Sequence, residues 1–391
     1  MKQITIIIFL LSSFTVPFAQ NTLDETLVLI EKNNTTLKAL RQQVEAQKLG
    51  NKTDIYLQNP EVGFGIHQGN PSTNWNKTNI SVSQSFDFPT AYARKRQISK
   101  HRNQQVDLEY EQQRREILLQ ARLVCIDLIY LNAFKTELKQ RLKNATDIAK
   151  SYQTRYEKGD ANVLEFNKSQ LNRLDISKEI ELVDIEHAFL QSKLTVFNGG
   201  VFMDFNDSTF QIQEIPVDYE QWYAQIAENN PELRMLEQAV LISQQEERLN
   251  KALSLPKFQT GYIHEKIGDE SLQGFNVGVS IPLWERKNSV KFAKAKTVAI
   301  QSAEESSKMH LYNELKALHS KVIRLQQNYN DFGQQLALYN SSSLLISALD
   351  KGEISLIEYI MELTIYYDST NKILELQRDM TKANAELKSY M

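Results

Sequence analysis

The chain has 391 residues and is close to charge balance, with 45 Lys and Arg against 48 Asp and Glu and a net charge of −3. That excludes the basic surface a nucleic-acid binder needs. The single cysteine, Cys125, excludes an internal disulfide and sits in an apolar helical pattern, where it reads as a small core residue.

In chain order, Met1 and Lys2 precede an apolar run from Ile4 to Leu11 and a stretch ending Pro17-Phe18-Ala19-Gln20. This is the pattern of a secretory signal over 1–19, cleaved after Ala19, and it is too short for the roughly 20 residues of a spanning helix. Losing Lys2 takes the net charge from −3 to −4. No Cys stands at the junction to carry a lipid. A helical arm is expected over about 22–57. Alternating residues follow over 60–88, where Val62, Phe64, Ile66, Ile80, Val82, Phe86 and Phe88 oppose Gly63, Gly65, His67, Ser81, Ser83, Ser85 and Asp87. That is a β-hairpin with one apolar and one polar face. A long helix without Pro is expected from about 90 to 157, ending at Gly159, where a left-handed residue closes the helix. A return arm covers 160–198, and 199–217, with Gly199-Gly200 and Pro216, reads as a linker.

The same order then repeats. An arm is expected over 218–254 and a hairpin over 256–283, with Phe258, Thr260, Tyr262, Phe275, Val277, Val279, Ile281 and Leu283 alternating against Asn276, Gly278 and Ser280. A second long helix is expected from about 287 to 350, ending at Gly352, with a return arm over 353–391. Its apolar residues, Leu311, Leu315, Leu318, Val322, Leu325, Tyr329, Phe332, Leu336 and Tyr339, step by four and three as in a coiled coil. Some 65 residues at about 1.5 Å each make a rod of roughly 100 Å. Two local echoes confirm the duplication. Asn33-Asn34-Thr35-Thr36-Leu37 recurs at Asn229-Asn230-Pro231-Glu232-Leu233, and Lys158-Gly159-Asp160 recurs at Lys351-Gly352-Glu353. The chain therefore divides into a first repeat, 20–198, a linker, and a second repeat, 218–391.

Four strands cannot close a barrel, and open edges cannot sit in lipid with their N–H and C=O groups unpaired. Several copies must pool strands, and three copies give about twelve, an even number as in bacterial outer-membrane barrels. Trp75, Tyr92, Tyr262 and Trp284 are placed near strand ends, where an aromatic girdle would lie. The fold class is mainly α with a small β part: a long coiled-coil helical barrel plus four strands per chain given to a trimeric transmembrane barrel.

Asn59-Pro60-Glu61, Val82-Ser83-Gln84-Ser85-Phe86-Asp87-Phe88 with Arg94-Lys95-Arg96 behind it, Gly274 to Leu283, and Arg155-Tyr156-Glu157-Lys158-Gly159 together resemble the TolC-type outer-membrane efflux proteins. The Ser-Gln-Ser-Phe element looks most like the heavy-metal branch, the CusC and CzcC group. The resemblance implies a homotrimer spanning outer-membrane lipid and continuing as a periplasmic helical tunnel. It also implies docking on a periplasmic adaptor protein and an inner-membrane RND pump. It places docking tips around Tyr156, Gly159, Leu164, Gly352 and Ile357, and a pore constriction at Glu165 and Glu358. The alternative for those two glutamates is a first-turn charge favoured by the helix dipole. The lipid-facing strand residues are Val62, Phe64, Ile80, Val82, Phe86, Phe275, Val277, Val279 and Ile281.

No Gly-rich phosphate loop, nucleophile elbow or His-Glu metal helix is present, so no enzyme activity and no cofactor are expected. His67, His101, His187, His264, His310 and His319 are scattered, as are the methionines, and are assigned structural roles rather than metal ligation. Metal efflux, drug efflux and type I secretion remain open. A periplasmic coiled-coil adaptor is the remaining rival, although it would carry one hairpin rather than two.

Overall fold

The computed structural model describes residues 22–69, 76–211, 215–339 and 341–390. The proposed signal 1–19, the turn residues Asn70 and Pro71, and Trp75 lie outside the described residues. Nine α-helices and four strands make up the described chain. They are α1 (Leu23–Asn33), α2 (Thr35–Gly50), β1 (Glu61–Gln68), β2 (Asn76–Phe86), α3 (Pro89–Lys158), α4 (Val163–Phe197), α5 (Tyr219–Ala227), α6 (Pro231–Leu253), β3 (Lys257–Ile267), β4 (Glu270–Ser280), α7 (Ser289–Leu338), α8 (Ser342–Asp350) and α9 (Leu356–Lys388). The class is mainly α with one small antiparallel sheet.

The chain forms two compact units. One holds both glycine turns and comprises residues 22–33, 121–211 and 332–378; the other holds the sheet and comprises 34–120, 215–331 and 379–390.

Three expected rods differ in detail. The arm over 22–57 is α1 and α2 followed by a short 3-10 turn at Thr53–Ile55, and the arm over 218–254 is α5 and α6. The breaks fall on the repeated Asn pair, for a physical reason. Asn34 leaves helical geometry and its side chain accepts the Leu37 amide at 2.9 Å, while Asn230 accepts the amides of Glu232 and Leu233 at 2.9 and 3.2 Å. These are N-caps, whose polar side chains stabilise a new helix start better than they do a helix interior. The second long helix also stops early, at Leu338, and restarts as α8 at Ser342. The sequence Asn340-Ser341-Ser342-Ser343 offers four poor helix formers in a row. The first long helix is unbroken over its 70 residues.

The sheet unit is cored by Trp222, Ile226, Leu311, Leu315, Val322 and Leu387, so the early positions of the α7 heptad pack while Tyr339 at its end is exposed. His319 is buried there, its Nε2 2.8 Å from the Pro216 carbonyl, against the rings of Tyr219 and Trp222. In the turn unit, α3 has one 18-residue stretch with mean hydropathy 1.6. Sequence reasoning passed over it. The helix buries Ala121, Cys125, Ile126, Leu128 and Ile129 and pairs Arg122 with Asp24 at 3.0 Å.

Candidate functional site

The sheet is an up-and-down meander, β1-β2-β3-β4, with unbroken antiparallel register. Directly opposed residues share a face, so the register assigns every side chain. Val62 pairs with Val82, Val82 with Tyr262, and Tyr262 with Phe275; Phe64 pairs with Ile80, Ile80 with His264, and His264 with Gln273. Hence Val62, Phe64, Ile80, Val82, Phe86, Phe275, Val277 and Val279 lie on one face, and Ile281 continues its alternation past the end of β4. Most are exposed, Phe275 at 86% and Val277 at 78%. Phe86 is half-buried opposite Phe258.

The opposite face carries mainly glycine, serine, amide and charged side chains, with Ile263, Ile267 and Leu272 as its apolar exceptions. A Cβ on Gly63 would meet Ser81 Oγ at 2.7 Å, and one on Gly65 or Gly261 would collide with Asn79 Oδ1 or Asn276 Oδ1. Each polar side chain thus folds over a glycine on the next strand. That face has no room for a larger side chain at these three glycines. His67 lies on the polar face and His264 on the apolar one, so the two are not equivalent. Of the proposed girdle, Tyr262 is mid-strand, and the Tyr92 hydroxyl instead accepts the Asp87 amide at 3.0 Å. Trp284 is 80% exposed just beyond β4.

The two glycine turns are the same motif. Gly159 has φ +82° and Gly352 φ +72°. Gly159 and Asp160 donate to the carbonyls of Tyr156 and Arg155 at 3.0 and 2.7 Å, and Gly352 and Glu353 donate to Leu349 and Ala348 at 3.1 and 2.9 Å. Both are Schellman closures, with glycine in the left-handed position. Tyr156 and Leu164 are exposed at the first turn and Ile357 at the second, and Tyr156 stacks on Phe166 at 5.2 Å.

Glu165 and Glu358 both close capping boxes. The Asn162 amide donates to Glu165 Oε2 at 3.0 Å and the Glu165 amide to Asn162 Oδ1 at 2.9 Å; Ser355 and Glu358 repeat this at 2.8 and 3.3 Å. The backbone and side-chain hydrogen bonds from Ser355 hold the Glu358 carboxyl below its ordinary range. The dipole alternative for these residues therefore has a concrete form, a helix start satisfied by its own third residue. Sequence reasoning did not single out the groove beside the second turn, about 660 Å³, lined by Asp147, Tyr152, Arg155, Leu349, Asp350 and Tyr359. Its one signal in the sequence is Tyr152, which continues the four-and-three spacing of Leu138, Leu142, Ala145 and Ala149 in the first long helix. Among the described residues, no group of three or more His, Cys, Asp or Glu is placed to hold a metal ion.

No family model and no curated protein matches the sequence. Solved structures do match. The Campylobacter jejuni CmeC outer membrane channel aligns over 94% of this chain and 85% of its own, at 13% identity and a TM-score of 0.75. CusC, described in relation to folding and transmembrane channel formation, aligns over 95% and 92% at 14% identity and 0.78. The open state of the Neisseria gonorrhoeae MtrE outer membrane channel aligns over 95% and 88% at 12% identity and 0.71. The chain has the fold of the outer-membrane channels. At these identities the likeness establishes the fold alone, and that fold is the one implied by the resemblance to TolC-type proteins.

Proposed function

We propose that the protein is the outer-membrane conduit of a tripartite efflux system. In this reading three copies pool their strands into one barrel, their helices form a periplasmic tunnel, and the glycine turns meet an adaptor and an inner-membrane pump. The observation that carries it is the sheet: one face mainly apolar and exposed, the other mainly small and polar, and both outer strands with open edges. An exposed apolar face of this kind marks a surface covered by protein or lipid, and a barrel wall needs one. An even meander also brings β4 of one copy antiparallel to β1 of the next.

The apolar residues do not cross the sheet at one level. They centre on Phe64 in β1 and near Val279 in β4, yet Phe64 stands level with Gln273, six residues earlier (279 − 273 = 6). Three strand steps thus shift the band by six residues, two per step, which is the stagger that tilted barrel strands require. One more step puts Phe64 of the next copy opposite Ile281. Phe64→Cys with Ile281→Cys should then give covalent trimers on oxidation, and Phe64→Cys with Val277→Cys should not. Cys125 does not compete, because it is buried and burial pushes its thiol up to about 12. Cross-linking by the second pair alone would refute the register, and cross-linking by neither would refute edge pairing.

The substrate class follows less directly. Selectivity of a conduit rests largely with its pump, and the described residues bring together no metal-ligand set, so we assign export of small solutes, metal cations among the candidates. Glu165 and Glu358 each keep one carboxylate oxygen beyond the capping bond, and six such groups from three copies at the tips would favour cations over anions.

A further inference from the structure

Resting on the outer-membrane reading, we propose that Lys266, with His264 beside it, forms a binding site for phosphate-bearing lipid headgroups of the outer leaflet. The register places both on the apolar face, with Thr78, Gln273 and Ser271 as neighbours. These residues sit at the loop end of β3 and β4, above the band formed by Tyr262, Phe275 and Val277. The Tyr262 hydroxyl reaches from the band toward this end, donating to Gln273 Oε1 at 2.8 Å.

The charge on this sheet is sorted by face. Across the strand residues of the apolar face there is no Asp or Glu, and Lys266 is the one lysine or arginine. Of the nearby acids, Glu265 and Glu270 alternate onto the polar face, where Glu265 is engaged by Lys77 at 2.8 Å, and Asp269 stands in the turn that joins the two strands. Lys266 is exposed and has no ion pair among the described residues. A lysine directed out of a barrel wall, just where hydrocarbon gives way to headgroups, meets lipid phosphate rather than protein. The ammonium supplies the charge, and the imidazole with the Thr78 and Ser271 hydroxyls supplies hydrogen bonds. The slope of the apolar band explains why the site lies on β3 and β4: on β1 the same level is occupied by Ile66.

The test uses the detergent-solubilised oligomer, immobilised and titrated with lipid A in mixed micelles, with dephosphorylated lipid A and inorganic phosphate as separate arms. Lipid A should bind with an affinity that falls as salt rises. Lys266→Gln should weaken it about fivefold, from the loss of one interfacial charge, and adding His264→Gln should weaken it further. Lys257→Gln, on the polar face at the other end of β3, should leave it unchanged. Undiminished binding by Lys266→Gln, equal weakening by Lys257→Gln, or equal binding of dephosphorylated lipid A or free phosphate would each overturn the proposal. Recovery of the protein in the aqueous fraction without detergent would instead refute the outer-membrane reading itself.

Discussion

Replacing Gly159 isolates what the first turn demands of the backbone. At φ +82° an added Cβ meets nothing within 4 Å, so no neighbour has to move and the whole cost is conformational. An L-residue held in the left-handed region loses about 1–2 kcal/mol, and a β-branched one more. The chain has one escape, which is to abandon the geometry and with it the hydrogen bonds from Gly159 and Asp160 to Tyr156 and Arg155. Two such bonds are worth about 0.5–1.5 kcal/mol each, so the loss saturates near 3 kcal/mol. Hydrogen exchange at the Asp160 amide reads this directly: about 1–2 kcal/mol for Gly159→Ala corresponds to a five- to thirtyfold loss of protection. Asn tolerates the left-handed region, so the order of protection should be Gly, Asn, Ala, Val. Gly352 should follow the same order, with φ +72° and the same empty surroundings. Ala protecting as well as Gly, or better than Asn, would refute the strain argument. Gly159→Val should also stop efflux while leaving oligomer yield intact.

Val277→Asp should impair barrel assembly by about 1–4 kcal/mol depending on depth, whereas Ser83→Asp on the polar face should be tolerated; equal defects in heat-stable oligomer would contradict the face assignment. Asn230→Ala should destabilise by about 1 kcal/mol in thermal unfolding through loss of the α6 cap, and Asn34→Ala similarly for α2. Because the Glu358 carboxyl lies below its ordinary value of 4.5, it stabilises the fold above that pH and the contribution disappears as pH falls through the lowered value. The stability gap between wild type and Glu358→Gln should therefore be present at pH 7 and close under acid; a gap independent of pH would rule out a contribution from the carboxylate's charge. Gln at both Glu165 and Glu358 should reduce cation preference in single-channel recordings, and unaltered selectivity would leave these residues as helix caps only.

The alternation in the strands was legible because a half-exposed sheet has period two, and a register without bulges keeps every residue on its assigned face. The turns were legible because only glycine fits the left-handed closure without strain. The breaks at Asn34 and Asn230 were not read, although the repeat displayed them: heptad counting weighs apolar residues and ignores a side chain that competes for backbone amides. The same blindness hid the interruption after Leu338. The roles of Glu165 and Glu358 were only half legible, since a carboxylate three residues into a helix satisfies its own cap whether or not it lines a pore. The groove around Tyr152 and Tyr359 needed the packing of α3 against the second turn, which no local pattern encodes.

The central claim is that the open edges of β1 and β4 are closed by other copies of the chain within a membrane. Light scattering on protein extracted from membranes, with detergent contribution subtracted, measures this most directly. Three chains per particle and no recovery without detergent are expected. A monomer soluble in detergent-free buffer, with its sheet intact, would contradict it.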